Sequence, residues 1–369
     1  MKTVRRLLYR DIAWSVAFVA IAFLSLFFFI DVVDELDSIG RDGYTLGYAM
    51  LRSLFELPGH FYELFPIAVL IGTIYAMARL AQSSEFTILR TGGLGPGRAL
   101  ALLAVPGVVF AALTFVVGDY VSPWTEREAV LLKHRGGVAP GRGGAWLKER
   151  RSDPQGLRNV SVNVASIDAG GELHGIRIFE FDGDGRLRSQ IAARSGSVGA
   201  EGQWRLREVQ RTDWPVPDEA GDNARLTMQT HAELMWRSTL DANVVAAALL
   251  PVQTMSTVEL WRYSAHLTDQ DQATQRHEIQ FWKKAFYPLA CVVMVALALP
   301  FAYLHARSGA VSYKVFGGIM LGIGFVLLNN VSGHLGVLKQ WTPWLVAAAP
   351  SLLFLLLSMA AFAWLVRYR

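Results

Sequence analysis

Charge is missing from six stretches of this chain: 12–30, 64–78, 99–118, 285–304, 315–333 and 341–366. A helix that crosses a bilayer needs about 20 mainly apolar residues. Five of the stretches meet that length as they stand. The second is shorter, and extending it back to Phe61 admits only Glu63. The pattern predicts six membrane-spanning helices in two groups of three, on either side of residues 121–280. Inside that insert the period changes. Val160–Ile167 and Gly175–Phe181 alternate apolar and polar positions, and Asp182-Gly-Asp-Gly185 reads as a hairpin turn into Arg186–Ile191. Trp204–Val209 and Leu226–Trp236 have the composition of further strands. Short strands with glycine-rich turns predict an antiparallel sandwich or jelly roll. Ser256-Thr-Val-Glu259 has capping-box spacing and opens an amphipathic helix running toward Leu267.

The fold class expected is therefore a membrane α-helical protein with an inserted antiparallel β jelly-roll domain. The divisions fall at 1–120 for spans one to three, with a short helix near 82–92, and at 121–255 for the β-domain. Residues 256–280 form a connecting helix, and 281–369 hold spans four to six. Composition agrees. The 369 residues are 52% hydrophobic and 18% charged, which excludes a disordered chain and disfavours a soluble enzyme. The first apolar stretch is too long for a signal peptide, and Asp31, Asp34 and Glu35 stand where a cleavage site would be expected.

Net charge locates the two sides. With the N-terminus cytoplasmic, the inner segments hold 11 Lys and Arg, against 5 in the short outer loops. Both termini are then inside, and residues 121–280 lie outside. The insert carries 19 Lys and Arg against 21 Asp and Glu, so its bulk charge does not suit nucleic acid. The chain's net +4 reports membrane orientation.

Candidate chemistry is sparse. Gly92-Gly-Leu-Gly-Pro-Gly97 lacks the lysine and hydroxyl of a phosphate-binding loop and reads as a helix stop. His277-Glu278 lacks the second histidine of a zinc-protease site, and Asp182 and Asp184 lack the later ligands of a calcium loop. There is no nucleophile elbow. Cys291 reads as a packing residue and His334 as a packing or interface histidine. No catalytic residue, metal site or cofactor is expected in this chain.

Two features do point to function. The first is the inner loop 81–93. Ser83 or Ser84 can cap a short helix, Glu85 suits its first turn, Arg90 its last, and Gly92 ends it. With apolar Phe86, Ile88 and Leu89, so short a helix needs a docking partner. The second is a polar trim near the outer face: Asp31, Asp34, Glu35, Glu56, His60 and Glu63, then Lys133, His134 and Arg135 after span three. Polar groups at membrane depth are costly unless paired or hydrated, and they suit a cavity for an amphiphile with anionic groups.

Specific motifs then emerge: Phe65-Pro66, Leu80-Ala-Gln-Ser-Ser-Glu-Phe86 leading to Thr91-Gly-Gly93, the Val121-Ser-Pro123 exit from span three, and Phe281-Trp-Lys-Lys-Ala-Phe-Tyr-Pro288. With these and its layout of three spans, β-domain and three spans, the chain resembles the LptF/LptG family of lipopolysaccharide export permeases over essentially its whole length. The register is closer to the LptG branch. The resemblance implies an ABC-transporter permease that extracts lipopolysaccharide from the inner membrane and passes it to a periplasmic jelly-roll bridge. It implies a heterodimer with an LptF-like permease, a docked LptB-like ATPase dimer that holds the ATP and magnesium, and LptC-like and LptA-like bridge proteins.

On this resemblance, Glu85 matches the coupling-helix glutamate, with Ser84, Phe86, Ile88, Leu89 and Arg90 around it. Substrate enters between the first span of one permease and the fifth of the other. The candidate lipopolysaccharide contacts are Asp31, Asp34, Lys133 and Arg135. Asp31, Asp37 and Ser38 occupy a stretch that is lysine-rich in some members, whereas Lys133 and Arg135 keep the basic character of theirs. The paralogous LptF subunit, a mechanotransmitting permease and a membrane scaffold are the alternatives. In the mechanotransmitting class, however, the external domain follows the first span.

Overall fold

The computed structural model describes residues 2–40, 44–83, 85, 88, 91–93, 95–135, 144–153, 156–167, 172–199, 202–215, 226–240, 244–245, 255–269, 274–303 and 311–367. Six helices among them are long and apolar enough to cross a membrane. They are α1 (Lys2–Glu35), α2 (Leu46–Gln82), α3 (Pro96–Val116), α6 (Gln275–Tyr303), α7 (Val311–Lys339) and α8 (Pro343–Arg367). A shorter helix α4 (Ser122–Arg135) continues α3, and α5 (Thr257–Asp269) precedes α6.

Two boundaries differ from the sequence reading. Helix α2 begins at Leu46, well before Phe61, and runs through Pro58 and Pro66. The charged residues that made 46–60 look extramembranous are paired with one another and with α1, so the helix extends through them although most of that stretch stays exposed or half-buried. At Val121-Ser-Pro123, read as the exit from span three, the chain stays helical. A π-helical turn, Val117–Val121, joins α3 to α4, and Pro123 falls in the first turn of α4.

Helix α2 is the centre of the bundle. Its run from Phe65 to Ile74 is buried throughout, and α1, α4, α6 and α7 all pack on it. Inside lipid there is little hydrophobic force between helices, so close packing must hold them. Gly72 lets the α1 backbone approach: a Cβ there would lie 2.6 Å from the Val16 Cα. Gly318 and Gly322 of α7 similarly admit Ile74 and Ile67. By contrast, α1 and α7 keep long apolar faces uncovered. On α1 these include Trp14, Phe18, Ile21 and Phe29, and on α7 Tyr313, Phe316, Met320, Ile323 and Leu327.

The inserted domain contains one six-stranded antiparallel sheet whose order follows the chain. Its strands are β1 (Ala145–Asp153), β2 (Gly156–Ile167), β3 (Leu173–Phe181), β4 (Leu187–Val198), β5 (Gln203–Asp213) and β6 (Thr227–Arg237). Strand β1 was not legible in sequence because Lys148, Glu149, Arg150 and Arg151 hide its alternation. Glu149 points inward yet is satisfied by the Ser238 hydroxyl at 2.5 Å and the Thr239 N–H at 3.0 Å. Buried Glu180 accepts from Ser189 at 2.8 Å and from the Trp236 indole at 3.1 Å. Such pairing is what allows a carboxylate into a core.

The Asp182 hairpin forms as expected, with its Oδ1 accepting the N–H groups of Asp184 and Arg186 at 3.1 and 2.8 Å. Beneath the sheet, Trp204 meets Trp236 edge to face, and Leu240, Met255, Leu260 and Tyr263 close the core. Leu260 and Tyr263 thus bring one face of helix α5 into the β-domain's core.

Gly72→Val is expected to force α1 off α2 by overpacking, at a cost of about 1–3 kcal/mol. Thermal unfolding of the purified chain in detergent checks this: a midpoint equal to wild type would show that the contact is not limiting.

Candidate functional site

Two regions of the bundle hold the groups that the sequence singled out. They lie at opposite ends, since successive spans alternate in direction.

At the end nearest the sheet the polar side chains form a belt. The C-terminal turns of α1 meet the start of α2, where Asp31 Oδ2 lies 2.8 Å from His60 Nε2. Arg52 bridges Glu35 and Glu56, reaching Glu56 at 2.7 Å. Phe27 packs its ring 4.9 Å from that of His60. The belt therefore clamps α1 to α2, and Asp31, Glu35 and Glu56 each have a partner within it. Asp34 is exposed beside it. Lys133 and Arg135 lie in the last turns of α4, and their side chains are outside the described set. Of the four expected lipid contacts, Asp31 is thus committed to a helix–helix pair and Asp34 faces outward.

The same belt continues into α3, α4 and α6 with residues that sequence reasoning did not gather. Tyr287 donates to the Glu63 carbonyl, and the Tyr62 and Tyr287 rings lie 4.8 Å apart. Lys284 is buried, with its ammonium 5.9 Å from the centre of the Tyr62 ring, and it donates to the Met255 carbonyl at 2.5 Å. Asp119, also buried, sits in the π-helical turn and accepts the Thr257 N–H at 2.6 Å. Ser122 donates to Glu126 at 2.6 Å. Arg127 pairs with Glu259 of α5. One signal was available in the sequence: a lysine within an aromatic span opening and an aspartate ending an uncharged run are both out of place unless paired.

The capping box predicted at the start of α5 is present. The Glu259 carboxylate accepts the Ser256 N–H at 2.9 Å, and the Glu259 N–H donates to the Ser256 hydroxyl at 3.3 Å. Partial burial pushes the Glu259 carboxyl up, but the Ser256 N–H and the Arg127 guanidinium outweigh it and hold it below the ordinary value.

At the other end, Arg79 of α2 pairs with Asp11 of α1 at 2.7 Å. Ser83 closes α2, with its N–H on the Arg79 carbonyl at 3.0 Å. In the adjoining loop, Glu85, Ile88 and Thr91 are helical and exposed, and Ile88 is 67% exposed. Gly92 donates to the Ile88 carbonyl at 2.9 Å, and Gly93 takes φ of 96°, so the helix stops there as expected. Ser84, Phe86, Leu89 and Arg90 lie outside the described residues. Among the described residues no cluster of His, Cys, Asp and Glu could hold a metal ion. Cys291 is buried, 3.2 Å from the Thr114 hydroxyl, and His334 bonds to the Asn330 carbonyl of its own helix.

Comparison with known proteins places this architecture. The family described as lipopolysaccharide export system permease LptF/LptG matches residues 6–367. The lipopolysaccharide export system permease protein LptG of Escherichia coli K12 is 26% identical over 341 residues, covering 91% of each chain. The protein of that name from Haemophilus influenzae is 27% identical over 365 residues, covering 97% of each.

Because the Glu259 carboxyl is depressed in the folded chain, its contribution to stability is present above the unfolded value, near 4.5, and is lost as pH falls through the lower folded value. Glu259→Gln should therefore lower the unfolding midpoint at neutral pH, and the gap from wild type should close on acidification. A gap that is constant with pH would refute the ionic contribution.

Proposed function

This chain belongs to the LptF/LptG family of lipopolysaccharide export permeases, and from that premise we propose that it is the LptG-type membrane subunit of an ABC transporter. It extracts lipopolysaccharide from the inner membrane and delivers it to a periplasmic β-bridge. The observation that carries this reading is the family match across residues 6–367, on a chain whose first and fifth spans expose large apolar side chains.

Each exposed stripe is long enough to line a lateral opening. The stripe on α1 would face the fifth span of an LptF-like partner, and the stripe on α7 would face that partner's first span. Both termini are cytoplasmic and the sheet is periplasmic, following the bias in Lys and Arg. Lipopolysaccharide is amphipathic: acyl chains match the apolar stripes, while anionic groups need cations near the outer ends of the spans. Lys133 and Arg135 lie at that end of the chain and are the basic residues proposed for the contact.

The segment around Glu85 and Ile88 is the proposed docking element for an LptB-like ATPase, which contributes ATP and magnesium. An exposed isoleucine beside an exposed glutamate, on a helix too short to stand alone, suits a groove on another protein. Nucleotide-driven movement there would tilt the spans and close the lipid's cavity. LptC-like and LptA-like proteins would extend the sheet path beyond the membrane.

Glu85→Ala is expected to lower co-purification of the ATPase or to uncouple its turnover from lipid release. Photocrosslinkers at Phe18 and Ile21 of α1 should capture lipopolysaccharide. Normal ATPase recovery and coupling in the variant would sink the docking assignment, and no lipid adduct from α1 would sink the lipid path.

A further inference from the structure

Helix α5 belongs to two structures at once. Met255, Leu260 and Tyr263 are part of the sheet's core. The N-terminal turn of the same segment is gripped by the π-helical turn after α3, by α4 and by α6. Asp119 accepts the Thr257 N–H at 2.6 Å, Lys284 donates to the Met255 carbonyl at 2.5 Å, and Arg127 pairs with Glu259. Asp119 is 8% exposed and Lys284 5%. The acidic groups acting on Lys284 are Asp119, Glu126 and Glu259, with Arg127 opposing.

Geometry explains why an aspartate is placed there. Within the π-helical turn the Ser122 N–H reaches back to the Val117 carbonyl, one residue further than in an α-helix. The extra residue rotates α4 relative to α3 and leaves Asp119 on the buried side of α3, at the start of α5. A carboxylate that deep is stabilised by the positive end of a helix and by a neighbouring ammonium. Thr257 is the first helical residue after the capping Ser256, so its N–H has no partner within α5 and is available to Asp119.

We propose that Asp119, Lys284 and Arg127 are positioning residues that lock the first turn of α5 to the spans, so that movement of α3 and α6 is carried into the sheet as a rigid displacement. The inference rests on the export reading above and adds the transmission step to it. Without the lock, α5 would remain part of the sheet's core but would slip relative to the spans. The ATPase would then turn over while the sheet failed to follow.

The test uses the full chain assembled with its partner permease and ATPase in lipid. Thr257→Pro deletes the one N–H that Asp119 accepts, while proline is favoured at the first position of a helix. Amide exchange across Val258–Tyr263 should quicken about tenfold, the scale of one lost hydrogen bond to a charged group. Lipopolysaccharide delivered per ATP should fall severalfold, with ATP turnover and unfolding midpoint near wild type. Asp119→Asn keeps an oxygen acceptor and should retain most delivery, whereas Asp119→Leu should not. Delivery per ATP equal to wild type in both Thr257→Pro and Asp119→Leu would overturn the proposal.

A second measurement leaves the joint intact. Spin labels are placed at exposed Tyr120→Cys and Arg205→Cys, with cysteine-free partner subunits, and this chain adds no background because Cys291 is buried. Their separation should stay constant through the nucleotide cycle, and a nucleotide-dependent change would also overturn the rigid joint. If the wild-type assembly delivers no lipid, the export reading fails, and the label distance still judges the joint by itself.

Discussion

Close backbone approach to α2 is the constraint on which the bundle depends. Lipid offers helices no hydrophobic reason to associate, so contact must come from shape. Gly72 supplies it toward α1, while Gly318 and Gly322 of α7 leave room for the Ile74 and Ile67 side chains of α2. With those approaches made, the two outer helices are fixed by one face each. Their opposite faces remain free for lipid or another chain, and a bundle that buried all six spans would have no lateral surface to offer. The same packing brings Asp31 to His60 and Asp11 to Arg79, so polar pairs clamp α1 to α2 at both ends.

The polar belt near the sheet solves a different problem. Buried ionic groups there would be costly if unpaired, yet they recur on α1, α2, α3, α4 and α6. Each described one meets a partner on another element or on its own helix. The result is a layer that is apolar on the membrane side and hydrogen-bonded on the sheet side. Helix α5 lies across that layer, with its apolar face in the sheet and its polar first turn on the spans.

The six spans, most of the strands and the capping box at Ser256 were legible because each rests on a local pattern: run length, alternation, or residue spacing. The features hidden from sequence were those set by contacts between distant segments. Helix α2 reaches back to Leu46 because Arg52 and His60 find acids on α1, and no local pattern records that. Strand β1 hides behind charges, one of which is satisfied by Ser238 nearly ninety positions later. Asp119 and Lys284 were visible as misplaced charges, but their common target, the start of α5, is a tertiary fact. The short helix holding Glu85 was read from its caps, and its stop at Gly92 and Gly93 comes from local backbone chemistry.

The order of the sheet bears on how the chain is made. Every strand pairs with its neighbour in sequence, so no pairing waits for a distant segment. Such local topology keeps the pairing strands near one another in sequence, and loop-closure entropy rises only slowly even across the longer connection between β5 and β6. Most of the sheet can thus be assembled as it emerges from synthesis, before the fourth span is complete. Helix α5 then arrives last and seals the core. The later spans meet a domain already formed, and the second half of the membrane bundle has a finished surface to dock against.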